Sequence, residues 1–295
     1  MNNTYSKVVT LTPHLAKELL ANRYEGQRTI SMSKAAAMAR DISDGRWNDS
    51  LYFSDPLMVS SEGKLMNGQH RCQAVIIANK SISVTIYYNV PVTAFENIDG
   101  GYTRTAVQFV KTKNAQTVIA LARFANAIEN GANVPSALIG AVSRIKNHVV
   151  TASRAEILEY VDAHSDELEF FGQEAKRITN SLNGGSSAGV ADALWLISYV
   201  RHWNMTETSE NIKRFTDDVC ANIPQHPAIA AGKSYAMGRQ VAAARDHVRI
   251  HISFWVALIL AMYESFGSRK IKISKKDLDK AMALYCAMIG GECNG

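Results

Sequence analysis

The segment with the clearest chemistry contains the five residues Asn67-Gly68-Gln69-His70-Arg71. A short apolar run before it favours a strand and the run after it favours a helix, so Asn67-Gly68 is predicted to be a sharp turn at a helix start. Free backbone N–H groups and the helix dipole favour an anion at such a place. Gly68 would let a phosphate approach the backbone, Arg71 could hold it through two parallel hydrogen bonds, and His70 could donate as well.

A second interpretation of this turn stays open. Glycine often precedes a helix, and His70 and Arg71 could simply face solvent there. On either interpretation Arg71 is expected to be solvent-facing at the helix start, so its removal should spare the fold. Residue types alone permit a phosphate site at this turn but do not select it.

The elements around the turn predict a mixed α/β domain at residues 1–105. Thr12 followed by Pro13, and Ser31 or Ser33, are capping residues that predict helices over about 13–22 and 34–44. Alternating apolar and β-branched residues predict strands at 57–60, 64–66 and 82–88, with a helix from about residue 69 before the last strand.

The rest of the chain, residues 106–295, predicts an all-helical domain. Helical patterns cover 116–130, 135–148, 154–163, 165–182, 188–203, 208–221, 237–266 and 275–289. Residues 183–187, with the sequence Asn-Gly-Gly-Ser-Ser, form the clearest flexible break. The expected fold class is therefore α+β, with a small mixed α/β domain followed by an all-α domain.

The turn segment resembles the ParB/sulfiredoxin-like superfamily, whose members carry D/N-G-x-H-R-x-x-A between a strand and a helix. The resemblance extends over roughly residues 10–110. Residues 38–42, Met-Ala-Arg-Asp-Ile, and 45–47, Gly-Arg-Trp, are similar to the lead-in of phage and bacterial members. Ile98-Asp99-Gly100 and Arg104-Thr105 resemble a recurring later segment. The helical remainder resembles the C-terminal part of phage-type members more loosely.

This resemblance implies a domain that binds a nucleoside triphosphate, with Mg²⁺ as its companion ion. It implies phosphate contacts from Gly68, His70 and Arg71, while Asn67 and Gln69 shape the turn.

Two residues further along the chain are implied to lie beside the nucleotide. They are Asp99 and Arg104, with Arg104 as a second phosphate contact, although a local salt bridge that closes the loop is the alternative. Of the lead-in arginines, at residues 23, 28, 40 and 46, at most one or two should reach a ligand.

Two departures from the superfamily pattern bear on catalysis. Sulfiredoxin has its reactive cysteine directly before His-Arg, where this chain has Gln69, and Cys72 lies on the other side of the motif. The kinase-like members have an acid where Asn67 stands, and an amide cannot act as a general base and is a poorer magnesium ligand. Binding is therefore better supported than catalysis, and whether the chain is an enzyme stays open.

Functions from three classes fit these features. The first is a phage or mobile-element protein that binds a nucleotide and acts as an NTPase or phosphotransferase. The second is a non-catalytic, protein-binding inhibitor of a host bacterial anti-phage defence complex, favoured by the missing acid at Asn67 and a large helical domain. The third is a DNA-associated accessory protein, with the basic segment Ser268–Lys276 as the candidate contact.

Composition bounds these functions. A net charge of +5 permits phosphate or nucleic-acid partners without demanding them, and 47% hydrophobic residues exclude bulk disorder. The sequence contains no apolar run of eighteen residues, so no membrane partner is expected and a cytoplasmic location, in a bacterium or an infected cell, is predicted. The four cysteines form no C-x-x-C pair, which predicts reduced thiols and no metal site. A protein partner, either a host complex or a second copy, is plausible.

Overall fold

The computed structural model of the protein describes residues 4–47, 55–97, 106–138, 141–145 and 148–290. The chain divides into two compact units, of which the first comprises residues 1–104 and 143–156 and the second residues 105–142 and 157–295. The α+β fold class predicted from the sequence is confirmed in its general form. Within the described ranges no helix combines the length and the apolar character needed to cross a membrane.

The described part of the first unit contains a four-stranded sheet. Its strands are β1 (Tyr5–Leu11), β2 (Leu57–Ser60), β3 (Leu65–Asn67) and β4 (Ile82–Val90), in the order β1-β4-β2-β3. β1 is antiparallel to β4, whereas β2 runs parallel to β4 and antiparallel to β3. Sequence analysis did not predict β1, because this edge strand is mostly exposed and lacks a regular alternation of apolar residues.

Helices α1 (Pro13–Ala21), α2 (Met32–Ser43) and α3 (Gln69–Ala78) complete this core. The predicted caps are present, since the hydroxyl of Thr12 accepts the Leu15 N–H and Ser31 caps α2. α3 packs against both α1 and α2. The buried core joins strand residues such as Leu57 and Ile86 to the α3 residues Cys72, Ala74 and Val75.

The helix predicted over 135–148 is wrong. The structure has only a four-residue helix, α5 (Val134–Ala137), followed by a two-stranded sheet of β5 (Ala141–Ile145) and β6 (His148–Thr151). The sequence of β6, His-Val-Val-Thr, is rich in β-branched residues, which favour extended backbone. The expectation of an all-helical region after residue 105 is corrected accordingly.

The second unit is otherwise helical where it is described. Its longer helices are α4 (Ala115–Glu129), α6 (Arg154–Ala163, which spans the boundary between the units), α7 (Ser165–Ser181), α8 (Ser187–Val200), α9 (Met205–Cys220), α10 (Pro227–Arg245), α11 (Ile252–Glu264) and α12 (Lys275–Met288). α8 is buried on every side from Gly189 to Ser198 and packs against α4, α7 and α11. A helix that is apolar all round must be central, and α8 has that position.

The single helix predicted over 237–266 is two helices. α10 ends at Arg245, where the N–H of Val248 donates to the Ala243 carbonyl and that of His247 to the Ala244 carbonyl. This is a Schellman ending, which requires a left-handed residue, and His247 supplies it with φ of 53°. Glycine normally signals such an ending, so a histidine in that position concealed the break from sequence analysis.

Candidate functional site

The turn at Gly68 joins β3 to α3, as the sequence predicts. Gly68 has φ of +101°, a backbone conformation that side chains disfavour. A Cβ atom at this position would lie 2.6 Å from Cγ of Leu57, a buried residue of β2. Glycine is therefore required here both by backbone conformation and by the close approach of the sheet. No side chain caps the start of α3, whose first N–H groups lack intrahelical acceptors.

The polar side chains on either side of Gly68 bind neighbouring loops. Gln69 is buried, donates through Nε2 to the Arg28 carbonyl at 2.9 Å and accepts from Arg23 at 3.4 Å. Asn67 donates to the Pro56 carbonyl at 3.4 Å. Both side chains therefore hold the turn against the segments before β2 and before α2.

His70 connects the starts of two helices. Its Nε2 accepts the backbone N–H of Ser31 at 2.9 Å, so the proton of the neutral imidazole lies on Nδ1. Ser31 is the N-cap of α2, and its hydroxyl accepts the Lys34 N–H at 3.5 Å. Through this bond His70 positions the first turn of α2, and with it the side chain of Lys34, beside the start of α3.

Arg71 does not face solvent, and that expectation is corrected. Its side chain is 6% exposed, and its guanidinium forms an ion pair with Asp55 and donates to the Asp55 carbonyl oxygen. Arg71 lies in the first turn of α3, directed towards the loop before β2. The sequence did not predict Asp55 as a partner of Arg71, because nothing in the local sequence around Asp55 marks it as close to α3.

The motif residues line a cavity of about 630 Å³ in the first unit, here called the motif cavity. Residues from the loop before α2, from α2 itself, from the segment before β2, from the motif and from a later 3₁₀ turn line it. They are Gly26, Gln27, Arg28, Lys34, Met38, Asp55, Met66, Asn67, Gly68, Gln69, His70, Arg71 and Phe95. All five predicted motif residues therefore share one concave surface.

The lining of the motif cavity is partly basic and partly apolar. Arg28, Lys34 and Arg71 bring three positive charges, against the single carboxylate of Asp55 among the lining residues. Met38 and Phe95 add apolar surface, and Phe95 is held by the ring of Tyr24, with centroids 4.7 Å apart. Asp55 is paired with Arg71, and Arg28 and Lys34 bring the other two positive charges of the lining. Such a surface suits an anion that carries a flat apolar group.

Of the four lead-in arginines, Arg28 alone lines the motif cavity. Arg40 binds the Glu156 carboxylate through two nitrogens, at 2.8 and 2.9 Å, and Arg46 reaches Glu156 at 3.2 Å. Burial by itself would raise the pKa of Glu156, but the hydrogen bonds from Arg40 and from the Ser153 N–H, with the charges of Arg40 and Arg46, hold it below its ordinary value. Arg40 and Arg46 thus anchor the segment after β6 to α2 rather than reaching a ligand.

Cys72 lies on α3, directly after the motif, and is buried in the core. The side chain is fully buried, and burial raises the pKa of its thiol to about 12. A thiol in this state is a poor nucleophile at neutral pH. Cys220 is also free, whereas Cys286 is disulfide-bonded, which corrects the expectation of four reduced cysteines.

Lys34, Asp55 and Phe95 are among the residues of the motif cavity that sequence reasoning missed. All three lie outside the motif in sequence, and the only local signal was the position of Lys34 just after the Ser31 cap, which marks it as part of the first turn of a helix. The predicted residues Asp99 and Arg104 lie outside the described residues. Within the described ranges no three His, Cys, Asp or Glu side chains form a group that could hold a metal ion.

Comparison of the chain with protein-family models, with curated proteins and with solved structures finds no match. The local geometry of the motif cavity is therefore the basis on which a function can be argued.

Proposed function

We propose that the first unit binds a nucleoside triphosphate in the motif cavity. The observation that carries this proposal is the convergence of the α3 start with Arg28 and Lys34 on one concave surface. Helix starts and cations together favour phosphate groups, and a volume of about 630 Å³ is in the range of small-molecule sites. The resemblance of residues 67–71 to a phosphate-binding motif supports the same conclusion.

The basic and apolar lining residues suggest an orientation for the nucleotide. The phosphates lie at the start of α3, whose first N–H groups have no capping side chain, with Arg28 and Lys34 as their cationic partners. The base lies towards Phe95 and Met38, because an aromatic ring offers a stacking surface. Arg71, bound to Asp55, shapes the wall rather than gripping the phosphate.

Magnesium enters this proposal with the nucleotide. Mg²⁺ is commonly bound by one or two carboxylates together with substrate phosphates and waters. Asp55 is the one carboxylate among the lining residues, and its side chain keeps 62% of its surface exposed. Asp55 is the proposed protein ligand for a magnesium ion that binds together with the phosphates. Its carboxylate would take the place of the acid that the kinase-like members have where this chain has Asn67. Whether hydrolysis or phosphotransfer follows is left to the experiment.

The experiment is a thermal-shift panel of the four ribonucleoside triphosphates with and without Mg²⁺, followed by an assay for phosphate release. A ligand that binds only the folded state raises the melting temperature in proportion to the logarithm of its concentration. We expect one triphosphate to do so more than its monophosphate. If none raises the melting temperature at millimolar concentration, the proposal fails.

A protein-binding function is the second candidate, and one feature of the second unit favours it. Met237, Val241 and Val248, on and just after α10, and Ile271 are each more than half exposed. Met237 and Val241 are four residues apart on α10 and so share one helix face, and a contiguous exposed apolar patch is typical of a contact surface. A Met237→Glu, Val241→Glu double substitution should abolish capture of a partner from a bacterial lysate without unfolding the chain.

The wider setting is part of the proposal. The resemblance favours a phage or mobile-element protein that acts in the cytoplasm, and evasion of a host defence complex is the role that the second candidate would serve. A DNA-associated role has less support, because Lys270 of the basic segment is bound to Asp277 and Ile273 is buried. A gel shift that weakens steeply with salt would establish the DNA-associated role.

A further inference from the structure

A cavity of about 920 Å³ lies within the second unit, lined only by residues of that unit. Helices α4, α8 and α11 all begin at it, since Thr117, Ser187 and Ile252 line it from their first turns. We infer that this cavity, here called the helix-start cavity, binds the phosphoryl group of a small phosphate ester. The inference is independent of the nucleotide proposed for the first unit.

The charge of the helix-start cavity is positive. Arg249 and His251 line it, and no lining residue is acidic. Arg249 is exposed and makes no ion pair or hydrogen bond with the described residues, so its guanidinium is available. His251 accepts the Ser253 N–H through Nδ1, which places the proton of the neutral imidazole on Nε2, where it can be donated.

Hydroxyl groups at the helix starts are arranged around the same space. Ser186 caps α8 by accepting the Gly189 N–H at 3.2 Å, and the Thr117 hydroxyl donates to that of Ser187 at 3.1 Å. The loop before Ser186 contains Gly185 with φ of +126°, where a Cβ would lie 3.0 Å from the Trp255 ring. The backbone therefore passes closely over Trp255 and leaves the space beyond it open.

Trp255 adds a polar donor to the lining that has no partner in the described part of the protein. The residue is 2% exposed and lines the cavity, and its indole N–H, a group that can only donate, has no acceptor among the described residues. Among the described residues, the fully buried side-chain N and O atoms without a hydrogen-bond partner belong to Arg40, Trp47, Asp192 and Thr216. The indole nitrogen of Trp255 is not one of these atoms. The indole nitrogen of Trp255 therefore keeps a small accessible surface, and the residue lines the cavity. A buried donor of this kind calls for an acceptor.

A phosphoryl group meets these requirements better than a carboxylate. The donors that line the cavity come from three helix starts, one indole, one imidazole and one guanidinium, which is more than the two oxygens of a planar carboxylate can accept from. A tetrahedral dianion with three terminal oxygens can accept from all these directions. Val248, Ile250 and Ile252 line the rest of the cavity and suit a modest apolar substituent on the ester.

The test uses the indole N–H signals of the full chain in a ¹H–¹⁵N correlation spectrum. The chain has four tryptophans, so the signal lost in Trp255→Phe identifies the indole of Trp255. Inorganic phosphate and phenyl phosphate are titrated at constant ionic strength, with chloride as the reference. We expect the Trp255 signal to shift saturably with both, and phenyl phosphate to bind more tightly because it adds apolar contact.

Two substitutions distinguish a specific phosphate site from non-specific attraction of phosphate to a positively charged protein. Arg249→Ala should weaken phosphate binding about tenfold or more, as loss of a charge-assisted hydrogen bond does. Arg269→Ala removes the same charge from an exposed arginine that does not line the cavity, and it should change binding little. Trp255→Phe, which keeps a ring but loses the donor, should also weaken binding in a calorimetric titration.

The inference is overturned if the Trp255 signal stays in place at millimolar phosphate, or if Arg249→Ala and Arg269→Ala weaken binding equally. The backbone signal of Gly68 reports separately on the motif cavity. A shift of Gly68 with none at Trp255 would sink this inference and leave the nucleotide proposal standing. The reverse pattern would support the helix-start cavity alone.

Discussion

Arg71 and Asp55 form an ion pair in the wall of the motif cavity, with the guanidinium 6% exposed and the carboxylate 62% exposed. The same guanidinium donates to the Asp55 carbonyl oxygen, so it holds both the side chain and the backbone of the segment before β2. An arginine held in this way joins two segments of the chain that are distant in sequence. Its first role is to build the cavity, and in the proposed complex Arg28 and Lys34 contact the phosphates.

This pairing predicts that Arg71→Ala destabilises the fold. The substitution leaves the Asp55 carbonyl without its donor and opens a void beside α3, which should lower the free energy of unfolding by about 1–3 kcal/mol. Urea unfolding followed by circular dichroism measures the change. Unchanged stability together with loss of nucleotide binding would instead make Arg71 a direct ligand contact.

Gly68→Ala should be more costly than an ordinary glycine substitution. The new side chain would adopt φ of +101° and lie 2.6 Å from Leu57 Cγ, so both the backbone and the sheet must shift. Gly45 is the matched control, because it has φ of +76° with nothing within 4 Å of its Cβ position. Gly45→Ala should lose about 1 kcal/mol, the backbone cost alone, and Gly68→Ala clearly more. Equal losses in urea unfolding would show that contact with Leu57 is unimportant.

The sequence predicted those features that depend on neighbouring residues. The Thr12 and Ser31 caps, the turn at Gly68 and most helices of the second unit follow from local patterns. The sequence did not predict features that depend on distant contacts. The pairing of Asp55 with Arg71 and the placement of Phe95 join residues 16 or more positions apart, and no local signal encodes them.

The buried carboxyl group of Asp192 is expected to make the free energy of unfolding fall as the pH rises. It is buried in α8 with one carboxyl oxygen unpartnered, and burial raises its pKa well above the ordinary value. The folded state therefore holds a proton that the unfolded state releases. Its stabilising effect is complete below the unfolded pKa of about 3.9 and is lost as pH rises towards the folded pKa, by up to about 1.4 kcal/mol per pH unit.

Asp192→Asn removes this titration while keeping the size of the side chain. Its stability relative to wild type should increase between pH 4.5 and pH 7, as measured by urea unfolding at each pH. Asp279→Asn, at an exposed aspartate of α12, serves as the control and should show little change. A wild-type to Asp192→Asn difference that is constant with pH would contradict a protonated Asp192.

Cys72 is predicted to be chemically silent. Because burial raises its pKa to about 12, almost none of it is thiolate at pH 8. Iodoacetamide should leave Cys72 unlabelled in the native protein and label it after unfolding in urea, as peptide mapping by mass spectrometry would show. The half-buried Cys220 should react sooner. Rapid native labelling of Cys72, or loss of nucleotide binding in Cys72→Ala with the fold intact, would mean that the thiol is accessible to the site.

The central claim, that the motif cavity binds a triphosphate, is tested most directly by calorimetric titration of wild type and Lys34→Ala with the triphosphate that the thermal panel selects. Lys17→Ala is the control, because Lys17 is also an exposed helical lysine of the first unit but does not line the cavity. Loss of one charge-assisted phosphate contact, worth about 1.5–3 kcal/mol, should weaken binding about tenfold to a hundredfold in Lys34→Ala and leave Lys17→Ala like wild type. Equal affinity in all three proteins, or no measurable binding to wild type, would contradict the account.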